Sequence, residues 1–91
     1  MNNVIKGFEL SGVNTTLKLP VGAKVISAKT QKGGVYIWVM LDPDLPFEVE
    51  RTFTMIGTGQ TFKRGMFLYV STVSLFAQSL ILHVFEVIKH E

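Results

Sequence analysis

Residues 24–41 run KVISAKTQKGGVYIWVML, and their reading decides the fold. Lys24–Gln31 is rich in β-branched and polar side chains, and residues 35–41 are apolar throughout. Between them lie Lys32, Gly33 and Gly34. Paired glycines supply the positive φ that a tight hairpin turn requires, so this stretch predicts two antiparallel strands joined by a short turn. Val35, Ile37, Val39 and Leu41 share one face of the second strand, and Tyr36, Trp38 and Met40 share the other. A strand apolar on both faces sits centrally in its sheet, or turns one face toward a partner subunit.

The same alternation of strand runs and turn residues continues on both sides. Upstream, Val4–Leu10 reads as a strand turned by Ser11-Gly12-Val13-Asn14. Residues 15–19 form the next, stopped by Pro20 and broken again at Gly22. Downstream, the two prolines of Asp42-Pro43-Asp44-Leu45-Pro46 force a loop. Residues 47–56 then alternate, with Phe47, Val49, Phe53 and Met55 on one face and Glu48, Glu50, Thr52, Thr54 and Ile56 on the other. Arg51 is the exception on the apolar face. Gly57-Thr58-Gly59-Gln60 and Phe62-Lys63-Arg64-Gly65 form a flexed loop, and residues 66–76 and 80–88 close the chain as a hairpin about Ala77-Gln78-Ser79. No helical period persists. The reading is one all-β domain over residues 1–91, a small antiparallel sandwich or compact barrel of seven or eight short strands.

Composition narrows the class. Ninety-one residues make one core at most, yet 47% are hydrophobic, more than so small a monomer needs, which predicts a homo-oligomer. The absence of cysteine excludes disulfide, cysteine–zinc and thiol chemistry, and suits a reducing compartment. The first residues lack the charged start and apolar core of a signal peptide. Residues 66–85 carry no charged side chain and are long enough to span a bilayer. However, Ser71, Thr72, Ser74, Gln78, Ser79 and His83 interrupt them, and a buried hairpin explains the run better. The net charge is +2, unevenly laid out: residues 1–41 hold five lysines against Glu9, and residues 42–50 hold only Asp42, Asp44, Glu48 and Glu50 as charges. This is moderate polarity, not the dense basic stripe of a duplex binder, so nucleic acid is not the expected partner.

Several motifs occur in one order along the chain. They are 19–27 (LPVGAKVIS), Ile37-Trp38-Val39 with Leu41-Asp42-Pro43-Asp44, Arg51-Thr52-Phe53 with Ile56-Gly57-Thr58-Gly59, Leu68-Tyr69-Val70 before Thr72-Val73, and His83-Val84-Phe85-Glu86. Together they resemble a family of short phage- and prophage-encoded proteins, a domain of unknown function. The resemblance covers about four-fifths of the chain and implies a protein acting in the host cytoplasm, with no activity attached. Members often carry Gly-Thr-Gly-His where this chain has Gln60. A histidine used for chemistry would thus be lost here, whereas one used only for a hydrogen bond is replaceable by glutamine.

Candidate chemistry centres on the glycine loop. Glycines let backbone amides approach an anion, so Thr58, Gly59 and Gln60 are candidates for a phosphate cradle. The spacing is neither a P-loop nor a dinucleotide fingerprint, and a turn or bulge at a strand end accounts for it better. Arg51, Lys63 and Arg64 bracket the loop and suit a nucleotide-sized anion. Against this, Lys63 and Arg64 read as a solvated loop, and Arg51 as paired with Glu48 or Glu50, snorkelling, or reaching across an interface. Tyr69 with Phe67, and Trp38 with Tyr36, offer faces for stacking a base, although strand aromatics more often belong to cores and interfaces. His83 has apolar neighbours and reads as a hydrogen-bonded core or interface histidine, and Asp42 and Asp44 as turn formers. No nucleophile–base motif and no set of metal ligands is present.

Three functions are compatible with this inventory. The first, which phage context favours, is non-enzymatic: sequestration of a small anionic nucleotide, such as a host immune signal, at or near subunit interfaces, through Arg51, Thr58, Gly59, Gln60, Lys63, Arg64 and Tyr69, without a cofactor. The second is a structural or interaction protein, a virion component or an inhibitor docking on a host protein. The third, an enzyme acting on nucleotides, lacks a base or a metal.

Overall fold

The computed structural model describes residues 2–90, all in strands and their connections. Seven strands follow in chain order: β1 (Val4–Leu10), β2 (Asn14–Leu19), β3 (Lys24–Gln31), β4 (Gly34–Leu41), β5 (Val49–Gly57), β6 (Gly65–Leu75) and β7 (Leu80–His90). They form two antiparallel sheets, one ordered β1-β4-β3 and the other β2-β5-β7-β6. The fold is thus a sandwich and not a closed barrel, and its 17 Å short dimension leaves room for two layers only. Among the described residues no helix is long and apolar enough to cross a membrane, and the uncharged 66–85 run forms most of the β6–β7 hairpin.

The apolar strand in the opening stretch sits where its two-faced pattern requires, at the centre of the three-stranded sheet. Val35, Ile37, Val39 and Leu41 are buried against Leu19, Phe53, Val73 and Val84 of the facing sheet, and Leu10, Ala23 and Ala28 complete the cluster. Its other face is a different matter: Tyr36, Trp38 and Met40 look outward and are only half-buried. One face alone meets the core.

The β3–β4 turn corrects the sequence reading in detail. Gln31 pairs with Gly34, so the two turn residues are Lys32 and Gly33, with φ of 52° and 77°. Positive φ at both central positions is the type I′ hairpin geometry, which matches the right-handed twist of the strands. Gly34 already belongs to β4, and it is Lys32 that bears the left-handed conformation disfavoured for a residue with a Cβ. The β6–β7 hairpin turns through three such residues, Phe76, Ala77 and Gln78, closed by Ser79 N–H donating to the Phe76 carbonyl at 3.1 Å. Other boundaries move by one or two residues. β5 starts at Val49, leaving Phe47 and Glu48 in the proline-bearing loop, and β7 runs on to His90.

Register decides what each strand shows. β5 alternates as its sequence predicts, with Phe53 inward, but Thr54 and Ile56 on the outward face are also buried, because the 58–64 loop folds back over that side. Bulges break the ladders at Ile26 of β3, between Val25 and Ser27, and at Val70 of β6, between Tyr69 and Ser71, while opposite Met66 and Phe67 the extra residue is Ile88 of β7. β3 and β6 are edge strands, and bulges there twist an edge away from unwanted pairing. Lys32→Asn should raise stability by about 0.5–1 kcal/mol, since asparagine tolerates the left-handed region, and thermal melts should shift by several degrees. Gly33→Ala should lower it by about 1 kcal/mol or more.

Candidate functional site

Arg51 lies on the inward face of β5. Its register neighbours place Glu86 of β7 opposite Phe53, one step along on the same face, so arginine and glutamate meet diagonally across the ladder. The contact is bidentate: Nε donates to Oε2 at 2.7 Å and Nη2 to Oε1 at 2.8 Å, while Nη1 donates to the Ala23 carbonyl at the start of β3. Hydrogen bonding to the Glu86 carboxylate holds the guanidinium even more firmly protonated than usual, against the opposing effect of burial. The partner is therefore neither Glu48 nor Glu50. Both follow or precede Arg51 by an odd number of residues along the chain, which turns Glu50 to the opposite face, and Glu48 lies outside the strand. With its charge neutralised, Arg51 serves the scaffold.

The glycine loop also spends its donors internally. Gln60 N–H donates to the Gly57 carbonyl at 3.0 Å, and Gly59 has φ +83°, the geometry of a type II turn. Gln60 Oε1 accepts from Gly57 N–H at 2.9 Å, and Thr58 N–H donates to the Ile81 carbonyl at 3.2 Å. Three of the four amides over residues 57–60 are thus engaged, so the loop is a braced turn, not an open anion nest. Gln60 here acts as a hydrogen-bond acceptor, a role an imidazole nitrogen also performs.

What the turn positions is the outward face of the four-stranded sheet. Thr58 Oγ1 lies 2.7 Å from His83 Nε2, His83 Nδ1 lies 3.0 Å from Thr72 Oγ1, and Thr72 Oγ1 lies 2.7 Å from the Tyr69 hydroxyl. Each hydroxyl can donate or accept, so the chain conducts a consistent hydrogen-bond direction either way. Beside it runs a row of rings: Tyr69 and Phe67 each meet Phe85 edge-on at 5.7 and 5.9 Å, and Phe62 meets Phe67 at 5.8 Å. The loop carrying Phe62 and Lys63 stands over this face and encloses an open cleft of about 230 Å³. Asn14, Thr54, Gln60, Lys63, Phe67 and His90 are among its lining residues.

The expected site residues thus divide. Thr58, Gly59, Gln60, Lys63 and Arg64 belong to one loop, of which Gln60 and Lys63 line the cleft. Tyr69 is joined to Thr58 through the hydroxyl–imidazole chain. Arg51 stands apart on the inward face, where with Glu86, Ile26, Leu68 and Tyr69 it borders a second open groove of about 300 Å³ between the β3 and β6 edges. Thr72, Asn14 and His90 escape sequence reasoning, because nothing but strand register brings them to the site. Among the described residues no three His, Cys, Asp or Glu side chains gather closely enough to hold a metal ion.

Two antiparallel sheets, one with a loop over its outer face, define a small β-sandwich. The sequence matches, over residues 1–91, the family described as a domain of unknown function, DUF7352, and the chain belongs to that family. No curated protein and no solved structure matches it.

The ion pair makes a prediction of its own. Arg51→Ala strands Glu86 beneath the β3 edge and should cost about 2–3 kcal/mol in chemical denaturation. That is less than the 3–5 kcal/mol of a fully buried pair, because a fifth of the arginine side chain still meets water. Arg51→Met combined with Glu86→Leu should recover most of that loss.

Proposed function

We propose that this is a non-enzymatic, phage-encoded binding protein that captures a small anionic, nucleotide-type ligand in the cleft beneath the 58–64 loop, acting in the host cytoplasm. The observation that carries the reading is the position of Lys63 at a cleft walled by the Phe62 and Phe67 rings and lined by amide and hydroxyl groups. Aromatic faces take a planar base, a lysine takes a phosphate, and Asn14, Thr54 and the free amide nitrogen of Gln60 select among hydrogen-bonding edges. Arg64, exposed in the same loop, adds a second cation. Arg51 plays no part in binding, since Glu86 occupies it.

Binding accounts for the chemistry better than turnover does. His83 has hydroxyls on both nitrogens and no carboxylate behind it, and the Gly57 and Thr58 amides are already engaged. A Thr58–His83 pair without an orienting acid lacks the third member of an acyl-transfer triad.

A cleft of about 230 Å³ is small for a whole nucleotide, which favours a second copy of the chain closing the remainder. Ile26, Leu68 and Tyr69, 47%, 57% and 62% exposed at the β3 and β6 edges, supply apolar surface for such a homo-oligomer. The same edges also support the second reading, docking on a host protein.

The test is a thermal-shift screen against cyclic mono-, di- and trinucleotides and ADP-ribose derivatives, with the mass in solution measured alongside. A ligand at about a hundred times its Kd should add about 2.7 kcal/mol, a rise of several degrees for a domain of this size. Lys63→Ala should reduce that rise sharply and Arg64→Ala partly. A flat response across the panel would sink the proposal and leave the docking reading.

A further inference from the structure

The outward face of the three-stranded sheet carries a second arrangement, independent of the cleft. Register sets out a grid in which side chains directly opposite one another share a face. Along β4 stand Met40, Trp38 and Tyr36; opposite them on β3 are Lys24, Ser27 and Lys29, and on β1 Ile5, Gly7 and Glu9. Tyr36 and Trp38 lie with ring centroids 6.4 Å apart and planes within 19° of parallel. The Trp38 ring reaches over Gly7, where any Cβ would collide with it, so glycine is what lets the indole settle against the sheet. The two rings are half-buried by their neighbours and keep an open side to solvent.

Sequence reasoning favoured a core or interface role for these aromatics. The register puts Val35, Ile37, Val39 and Leu41 in the core instead and leaves Tyr36 and Trp38 outside it. The charges of the face are unequal. Lys24 and Lys29 flank the ring row on one side, and Lys32 extends from the turn at its end; all three are exposed. Among these paired positions the one carboxylate is Glu9, which is placed beside Gly34 at that turn.

We propose that this face binds single-stranded nucleic acid, with two successive bases stacked on Tyr36 and Trp38 and the phosphates following Lys24, Lys29 and Lys32. Residues 36 to 40 span about 13 Å of strand, enough for a short stretch of unpaired bases and no more. Stacking on aromatic side chains is tolerant of sequence, because every base offers a π-face, and lysines at the rim supply the sequence-independent attraction. A duplex hides its base faces and offers this platform nothing to stack. The sequence shows no dense basic stripe and so does not predict a nucleic-acid partner; strand register is what sets Lys24 and Lys29 alongside the two rings, with Lys32 at the turn.

Trp38 is the chain's single tryptophan, and it lies on the sheet opposite the cleft, so its fluorescence reports this face alone. A failure here would therefore not be confused with a failure of the cleft proposal. The experiment titrates the whole protein with a fluorescein-labelled 12-nucleotide oligothymidylate, reading tryptophan emission and label anisotropy together. The expected result is quenching that saturates together with the anisotropy, and a roughly tenfold loss of affinity between 50 and 200 mM salt, as two or three released counterions require. Lys24→Ala with Lys29→Ala, both exposed and harmless to folding, should weaken binding several-fold and flatten the salt dependence. Trp38→Leu should weaken it about tenfold or more. Unchanged emission and anisotropy at low salt would overturn the proposal. So would equal affinity for the same sequence as a duplex, or binding untouched by the double lysine substitution.

Discussion

The sandwich depends most on one ion pair. Arg51 enters the inward face of β5 beside Phe53 and Met55, which pack with the core, and a guanidinium there is costly to leave unpaired. Glu86 takes two of its nitrogens and the Ala23 carbonyl takes the third, so one side chain joins β5 to β7 within one sheet and to the start of β3 in the other. The pair ties the two layers together beside the open groove between the β3 and β6 edges. Among the described residues no buried side-chain nitrogen or oxygen lacks a hydrogen-bond partner. Polar groups admitted to this interior are fully used.

That economy separates scaffold from surface. The charge of Arg51 and three amides of the 57–60 turn are consumed in holding the fold, although in sequence they looked most suited to an anion. What remains free lies on the outward faces. On the four-stranded sheet, the turn aims a loop over a row of aromatic rings and a hydroxyl–imidazole chain. On the three-stranded sheet, glycine at position 7 clears a place for Trp38 across from the lysines of β3. The two faces have different chemistry because they are covered differently: one has a loop folded over it, the other has none.

Edges shape the molecule's relation to partners. β3 and β6 lie at the same side of the sandwich, both bulged, with Ile26, Leu68 and Tyr69 exposed near the Arg51–Glu86 pair. Bulges discourage strand-to-strand pairing, so contact at this side proceeds through side chains and not through an extended sheet.

The amino-acid sequence by itself determined the strands. Alternation in 47–56, the two-faced run 35–41, a tight turn within residues 32–34 and the proline-bearing loop each follow from local backbone preference and burial, and the all-β class follows from their number and spacing. Sandwich rather than barrel was decided by the pairing of the strands. Sequence also marked Arg51 as an anomaly on its face, since period two requires nothing but neighbours along the strand. Only the tertiary structure decided what answers that anomaly. Glu86 is 35 residues away and reaches Arg51 through the β5–β7 register. The same applies to His83, whose partners Thr58 and Thr72 come from a turn and another strand, and to Tyr36 and Trp38, whose exposure depends on which face the second sheet covers. Strand pairing is a non-local choice made by packing, and no window of sequence contains it.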